Sequence, residues 1–228
     1  MSLLEEHKDE RRKRIMAAAR KLVVTEGYDG LTMRDLARAA RVSVPTLYNL
    51  FGSKDAILVA ELETTAPKIA ARMLAGDSFF TRGMAAFEAG MDQIAEAPEF
   101  HRAIMRMAMT SPETAPMRRR AEEAFIAIMA GNLTAAKTAG QLAKWAEPAI
   151  VARHMFAQYM ACFLAWGMDE FDFVTFRAAA LSGICHLLIG VARGPFAAEV
   201  EARLASLSRE TVQFKKGATH VASRPGRR

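Results

Sequence analysis

The sequence predicts an all-α protein. Alanine, leucine, methionine, arginine and glutamate favour helices and dominate nearly every segment, whereas strand signals are almost absent. Between glycine and proline breaks, the apolar residues recur every three or four positions, as at Phe125, Met129 and Leu133. The 228 residues are 51% hydrophobic, which allows a sizeable core in one or two domains.

The first helix is predicted from about Glu5 to Glu26. Its apolar stripe faces one side, and Gly27 supplies the stop, because glycine adopts the backbone conformation that ends a helix cheaply. Asp29 and Gly30 then form a turn. The stripe consists of Ile15, Ala19, Leu22 and Val23.

Residues 32–54 predict two short helices joined by a tight turn. Thr32 can cap the first helix and Ser43 the second, while Pro45 lies in the first turn of the second helix, where a missing N–H costs nothing. Leu47 faces the first helix, and Gly52 closes the second. This helix-turn-helix is a shape that reads DNA, and its outward side carries Val44, Thr46, Tyr48 and Asn49.

Beyond this motif, a long helix is predicted from Ser53 to about Ala75, and glycine and proline divide the rest into further helices, about nine or ten in all. We expect three parts: a three-helix DNA-binding domain at 1–55, a larger antiparallel helical domain for ligand binding and dimerisation at 56–206, and a basic, disordered tail at 207–228.

The net charge of +6 is concentrated at the two ends of the chain. Residues 1–55 and 207–228 are both net positive, whereas the residues between them are slightly net negative. Because phosphate attracts Lys and Arg, the middle of the chain is not built to meet nucleic acid.

The sequence gives no sign of an enzyme, a metal site, a cofactor or a membrane span. Cys162 and Cys185 lie in apolar stretches without CxxC spacing, which predicts a reducing, cytoplasmic location. Ala178–Ala192, the longest uncharged apolar stretch, is shorter than the roughly 18 to 20 residues that a span needs. Paired carboxylates, metal-spaced histidines and phosphate-binding glycine loops are missing, so catalytic residues are not expected.

A series of short motifs follows the first basic helix: Gly27-Tyr28, Leu31-Thr32, Asp35-Leu36-Ala37, Val42-Ser43, Thr46-Leu47-Tyr48, Phe51 and Ser53-Lys54. With these motifs, the chain from residue 11 to residue 60 resembles the tetracycline-repressor-like (TetR/AcrR) family of bacterial transcription regulators. From residue 61 onwards only the general layout is similar.

The resemblance implies a two-fold dimer whose N-terminal domains enter successive major grooves of a palindromic operator. Its larger domains would bind a small-molecule effector that is apolar or amphipathic. Two recognition helices must lie one DNA turn apart, about 34 to 36 Å, which a monomer cannot achieve. Dimerisation is therefore expected.

Carried onto matching positions, the family's contacts divide into two sets. Hydroxyl and ammonium groups would bind phosphates and position the protein, whereas side chains facing base edges would specify sequence, with Asn49 suited to a bidentate contact with adenine. The expected phosphate contacts are Thr32, Tyr48 and Lys54. The expected base contacts are Arg34, Val44, Pro45, Thr46 and Asn49.

Two features near the motif need interpretation. Arg41 occupies a place where the family commonly has a turn glycine. If the backbone there needs a positive φ, it is strained; alternatively, Arg41 reaches a phosphate. The basic run from Arg11 to Arg14 is either a solvated helix face or an arm that touches the DNA backbone or minor groove.

The larger domain contains many of the 14 methionines and 13 phenylalanines, and flexible methionines can repack around an apolar guest. Each residue alone could equally be ordinary core. His154, Gln158 and Trp166 lie on one helix and could direct polar groups towards the ligand. The remaining candidate wall residues are Met73, Phe87, Met91, Ile104, Met105, Phe125, Met129, Phe156 and Phe163.

The last apolar helices predict the dimer contact. Residues 148–167 and 175–192 would form a four-helix interface with a second copy, although a plain core helix would show the same pattern. A different class of function also fits the helical domain: a carrier of hydrophobic ligands that binds no operator.

Overall fold

The computed structural model describes residues 3–64, 71–72, 76–110 and 114–207, and the regular elements in these ranges are helices. This confirms the predicted all-α class. The helices are α1 (Leu3–Gly30), α2 (Met33–Ala40), α3 (Val44–Phe51), α4 (Lys54–Glu63), α5 (Phe79–Glu96), α6 (Pro98–Thr110), α7 (Ala115–Thr138), α8 (Pro148–Gly167), α9 (Phe173–Ile189) and α10 (194–207).

The first compact unit comprises Met1–Ala71 and Asp92–Ala121. Helices α1 to α4 bury their apolar faces in one core, and α6 adds Phe100, Ile104 and Met107 to it. Because an eight-residue helix is not stable alone in water, α2 and α3 depend on this packing. The other fully or nearly buried members include Ile15, Ala19, Val23, Leu31, Leu36, Ala40, Leu47, Ile57 and Leu58.

The break after the first helix lies at Gly27, as the sequence predicts. Gly27 has φ of 72° and ψ of 173°, which interrupts the helical backbone before a last short turn to Gly30. A positive φ of this kind is open to glycine at little cost. Leu31, only 2% exposed, then anchors the start of the two-helix motif in the core.

The second unit comprises Arg72–Met91 and Glu122–Arg228, and α8 and α9 form its most extensive helix pair. The segment before α8 is fixed to the segment after α9 by two backbone hydrogen bonds. Ala143 N–H donates to Val191 O at 2.8 Å, and Arg193 N–H donates to Gln141 O at 2.9 Å. Aromatic rings and methionines fill much of the space between the helices.

Three sequence predictions are not tested by the structure. The continuation of α4 towards Ala75 and the basic tail beyond residue 207 both lie outside the described residues. The domain boundary at residue 55 stays a prediction. The structure adds that α4 and α6, which the sequence assigns to the larger domain, pack with α1 in the first unit.

Candidate nucleic-acid interface and apolar site

Thr32 caps α2. Its backbone is extended, and its Oγ1 accepts a hydrogen bond from the Asp35 N–H at 3.1 Å. The same hydroxyl donates to Asp35 Oδ2 at 2.6 Å, and Arg38 donates to Asp35 Oδ1 at 3.0 Å. A cap satisfies one of the unpaired N–H groups at a helix start. Thr32 is exposed, yet its hydroxyl is already used by the cap in this structure.

Arg41 forms the turn between α2 and α3 in the left-handed conformation. Its φ is 53° and its ψ is 51°. The Arg41 N–H donates to Arg38 O at 3.3 Å and the Val42 N–H donates to Ala37 O at 3.0 Å, which is the Schellman arrangement that ends a helix. The turn therefore does need a positive φ, and here a residue with a side chain adopts it.

Ser43 and Gly52 fix the two ends of α3. Ser43 Oγ accepts from the Thr46 N–H at 3.3 Å, and the Gly52 N–H, at φ of 84°, donates to Tyr48 O at 2.9 Å. Leu47 is fully buried behind the helix. The opposite side therefore faces outward as a rigid surface.

The outward surface of α3 carries the side chains that the sequence selected. Pro45 and Asn49 are exposed, Tyr48 is 51% exposed, and Val44 and Thr46 are half-buried. The Thr46 hydroxyl lies 2.7 Å from the Ser43 hydroxyl, so part of its hydrogen-bonding capacity is used inside the helix. Arg34, near the start of α2, is also exposed.

Two arginines of α1 hold the C-terminal ends of the short helices. Arg12 Nη1 donates to Leu50 O at 2.7 Å, and its guanidinium lies 4.2 Å from the centroid of the Phe51 ring. Arg14 Nε donates to Ala40 O at 3.0 Å. Carbonyls at a helix C-terminus lack partners within the helix and favour a cation. Half of the basic run thus supports α2 and α3, while Arg11 and Lys13 are exposed.

Lys54 joins the motif to the end of α1. Its Nζ lies 4.1 Å from the centroid of the Tyr28 ring and within 3.4 to 3.5 Å of the carbonyls of Tyr28 and Leu31. The Tyr28 hydroxyl donates to Asp55 Oδ1 at 2.7 Å. Lys54 is half-buried, so its ammonium has a structural role besides the phosphate contact expected from the sequence.

An aromatic cluster lies between α5, α7 and α8 of the second unit. The Phe87 and Phe125 rings meet edge to face at 5.2 Å between centroids, Phe125 and Phe156 lie 5.3 Å apart, and Phe87 and Tyr159 lie 5.7 Å apart. Phe125, Phe156 and Tyr159 are half-buried. The structure therefore brings together Phe87, Phe125 and Phe156 from the predicted ligand wall.

Next to these helices is a small cavity of about 10 Å³, enough for about one water molecule. Three of its lining residues are Met84, Met129 and Met155, and Asn132 lies at its edge, donating to Phe79 O at 2.7 Å. An apolar guest of any size must therefore move side chains here, which flexible methionines allow. Met91 of α5 is fully buried.

The three polar candidates on α8 have separate environments. His154 is exposed, Gln158 packs against Gly183 of α9 and donates to Cys162 Sγ at 3.5 Å, and Trp166 is fully buried. Trp166 packs with three phenylalanine rings at 5.6 to 6.2 Å, namely Phe163, Phe173 and Phe176. The structure does not bring these three side chains to one place.

The other predicted wall residues lie elsewhere. Ile104 and Met105 are buried in α6 of the first unit, and Ile104 belongs to the core around α1. Met73 lies outside the described residues.

The sequence analysis did not select Tyr159 as a member of the aromatic cluster. It lies three residues after Phe156 and four before Phe163, which is the spacing of one helix face, and this was the available signal. Burial raises the pKa of its hydroxyl, so the phenol stays protonated.

The described residues contain no group of three or more His, Cys, Asp or Glu side chains able to hold a metal ion. Burial raises the pKa of the Cys162 thiol and raises that of Cys185 to about 11, which suppresses the reactive thiolate. In the same part of the chain, none of the helices combines the length and apolar character needed to cross a bilayer.

Residues 15–60 match the family described as bacterial regulatory proteins, tetR family. The HTH-type transcriptional regulator HbdR of Aromatoleum sp. (strain CIB) is 44% identical over 55 residues, an alignment that spans 24% of this chain and 24% of HbdR. The chain thus matches about a quarter of the length of this curated relative, and the match establishes similarity over that segment only.

Solved structures share the fold over most of the chain. A regulator of the same family from Rhodococcus sp. is 22% identical, with a TM-score of 0.64 over 78% of this chain and 98% of that one. SmeT, the repressor of the Stenotrophomonas maltophilia multidrug efflux pump SmeDEF, is 18% identical, with a TM-score of 0.64 over 81% and 92% of the two chains.

FadR from Bacillus subtilis, solved in complex with stearoyl-CoA, is 17% identical, with a TM-score of 0.64 over 78% of this chain and 98% of that one. At these identities the likeness establishes the fold alone. Residues 15–60, which contain the capped helices α2 and α3, are therefore similar to the bacterial regulatory proteins of the tetR family, and the chain shares the fold of these solved structures.

Proposed function

We propose that the protein is a ligand-responsive transcriptional repressor that binds a palindromic operator as a dimer and is released by an apolar or amphipathic small molecule. The observation that carries this proposal is the outward surface of α3. It is held by caps at both ends, by the buried Leu47 and by Arg12, so its exposed side chains are presented in a fixed geometry. Fixed geometry is what direct reading of base edges requires.

In this proposal the contacts divide as the sequence suggests. Asn49 and Pro45 are exposed at the centre of the surface, where Asn49 can bind adenine bidentately. The other base contacts are Arg34, Val44 and Thr46. Thr32, Tyr48 and Lys54 bind phosphates, for which the Thr32 hydroxyl must exchange its bond to Asp35, and Lys54 must extend from the Tyr28 ring.

The proposed dimer contact is the outer face of α8 and α9, residues 148–167 and 175–192. Near the two ends of this helix pair, large apolar side chains are exposed in the single chain: Ile150 at 55%, Met168 at 59% and Ile189 at 38%. Between them α8 exposes Ala157 and Ala161, small residues that allow another helix to approach closely. A second copy with the same face would cover this apolar surface symmetrically.

The aromatic cluster of the second unit is the proposed effector site. Its half-buried rings, Phe125, Phe156 and Tyr159, offer apolar surface, and the methionines beside it can repack. Two structural neighbours support a ligand-responsive repressor by analogy only. FadR from Bacillus subtilis was solved with stearoyl-CoA bound, and SmeT is the repressor of an efflux pump.

Selection of bound fragments from randomised duplex DNA at physiological salt tests the proposal. The expected result is a palindromic motif with half-sites about ten base pairs apart, centre to centre. The selection is repeated with Asn49→Ala, which should relax one base position, and with Asn132→Ala in the second unit as a control that should recover the same motif. Recovery of no motif, together with tight binding of apolar ligands, would instead favour a hydrophobic-ligand carrier.

A further inference from the structure

Tyr159 is surrounded by aromatic rings on three sides. Its ring centroid lies 5.7 Å from that of Phe87 on α5, 6.2 Å from that of Phe163 on α8 and 5.9 Å from that of Phe176 on α9. Its hydroxyl lies beside Gly90 of α5, where an added Cβ would be 3.8 Å away. The phenol oxygen therefore lies next to a glycine of α5, and the ring that carries it lies among aromatic rings.

The Tyr159 hydroxyl forms no hydrogen bond with any described residue, and burial is the sole cause of its raised pKa. Tyr159 is half-buried, so water can pair with its hydroxyl in the ligand-free protein. A ligand that displaces this water must supply an acceptor of its own. By contrast, the hydroxyl of Tyr28 in the first unit is paired with Asp55. A hydroxyl that has no protein partner and lies on a ring among other aromatic rings is available to donate a hydrogen bond to a ligand.

The chemistry around this hydroxyl restricts the partner. Aromatic rings and Gly90 lie beside Tyr159, and Glu88, the charged residue after Phe87, is already paired with Arg203 at 2.9 Å. A charged ligand group would lose its hydration without meeting an opposite charge there. A neutral oxygen needs only one donated hydrogen bond, which a protonated phenol supplies.

We propose that Tyr159 is the specificity-determining residue of the effector site and donates a hydrogen bond to an uncharged carbonyl oxygen of an otherwise apolar, aromatic effector. This inference rests on the proposed effector site in the second unit. It adds the class of ligand, a neutral aromatic ketone, ester or amide, and the atom that recognises it.

Tyr159→Phe tests the inference because it removes the oxygen and keeps the ring. The probes are Prodan, a neutral naphthalene dye with a ketone, and dimethylaminonaphthalene, which has the same ring system without the ketone. We expect Tyr159→Phe to bind Prodan about 3- to 10-fold more weakly than the wild type, the value of one net hydrogen bond. Bound Prodan should also emit at shorter wavelength in this variant, because its carbonyl loses a donor.

Binding of dimethylaminonaphthalene should be equal in the wild type and Tyr159→Phe. Thr134→Val, which removes an exposed hydroxyl from α7, is the matched control and should bind both probes as the wild type does. Without ligand, Tyr159→Phe should unfold at the same temperature as the wild type or higher, since no hydrogen bond within the protein is lost.

The outcomes separate the two levels of the proposal. If Prodan binds the wild type and Tyr159→Phe equally, the role of Tyr159 is wrong and the apolar site stands. If neither probe binds the wild type, the effector site is wrong and the inference falls with it. A clear loss of stability in ligand-free Tyr159→Phe would show that the hydroxyl has a structural partner, which also overturns the inference.

Discussion

Arg41→Gly should stabilise the protein, although it deletes a charged side chain from the candidate DNA-binding motif. Arg41 has φ of 53° and ψ of 51°, the left-handed region, where a residue with a Cβ costs about 1 to 2 kcal/mol. Glycine removes this cost, but the greater conformational entropy that it gives the unfolded chain lowers the stability by about 0.5 to 1 kcal/mol. The difference predicts a net gain of about 0.5 to 1 kcal/mol.

The assay is reversible unfolding by urea or heat, with Arg41→Ala as the matched control. Arg41→Ala also removes the exposed side chain but keeps the Cβ, so it isolates the backbone term from the charge term. For a chain of this size, the predicted gain corresponds to a rise in Tm of about 1 to 4 °C. If Arg41→Gly is no more stable than Arg41→Ala, the assignment of strain to this turn is wrong.

Three further predictions concern Arg12, Lys54 and Asp172. Arg12→Ala should destabilise the protein by about 1 to 2 kcal/mol in urea unfolding, because the hydrogen bond to the Leu50 carbonyl at the end of α3 is lost. Arg11→Ala, at an exposed position, should change the stability by no more than about 0.5 kcal/mol, and equal effects of the two substitutions would contradict the capping role of Arg12. In anisotropy titrations, Lys54→Ala should weaken binding to all DNA and reduce the slope of log affinity against log salt by about 0.9, whereas Asn49→Ala should mainly relax base choice. An identical loss of specificity in both variants would refute the assignment of Lys54 to phosphates and Asn49 to bases. The Asp172 carboxylate accepts hydrogen bonds from the Thr175 hydroxyl and N–H, which lowers the pKa of Asp172, so its contribution to stability is present above the usual aspartate pKa and is lost as the pH falls through the lowered value. In thermal melts recorded against pH, Asp172→Asn should remove this pH dependence, and an unchanged profile would contradict the prediction.

The two-helix motif could be predicted from sequence because its signals are local. Thr32, Ser43 and Gly52 each act within four residues of their own position, and all three have the expected role in the structure. For Arg41 the sequence indicated strain only on the condition that the turn needs a positive φ, and the structure shows that this condition is met. A cap or a turn is decided by neighbours along the chain, which is what a sequence displays.

The long-range contacts could not be predicted in the same way. Arg12 and Leu50 are 38 residues apart, and nothing in the basic run indicates which arginine faces a helix end. For the same reason, Ile104 could be assigned to a ligand wall although it belongs to the core around α1. Apolar periodicity shows that a side chain is buried but does not show which helix covers it.

The aromatic cluster of the second unit was predicted in part. The sequence selected Phe87, Phe125 and Phe156, which do cluster, whereas its three polar candidates, His154, Gln158 and Trp166, do not come together. His154 and Tyr159 are five residues apart on α8, which is about 140° around the helix axis. His154 is therefore exposed, whereas Tyr159 lies within the aromatic cluster. Polarity alone does not show which side of α8 faces the aromatic rings.

The central claim is that two copies of α3 read one operator from the same side of the DNA. It is tested most directly by moving the half-sites of the selected fragment apart and measuring affinity by fluorescence anisotropy. Inserting five base pairs turns one half-site by about half a helical turn, so the affinity should fall to that of an isolated half-site. An affinity that is unchanged by the insertion would contradict the account, because a rigid two-fold dimer cannot follow a half-site to the opposite face.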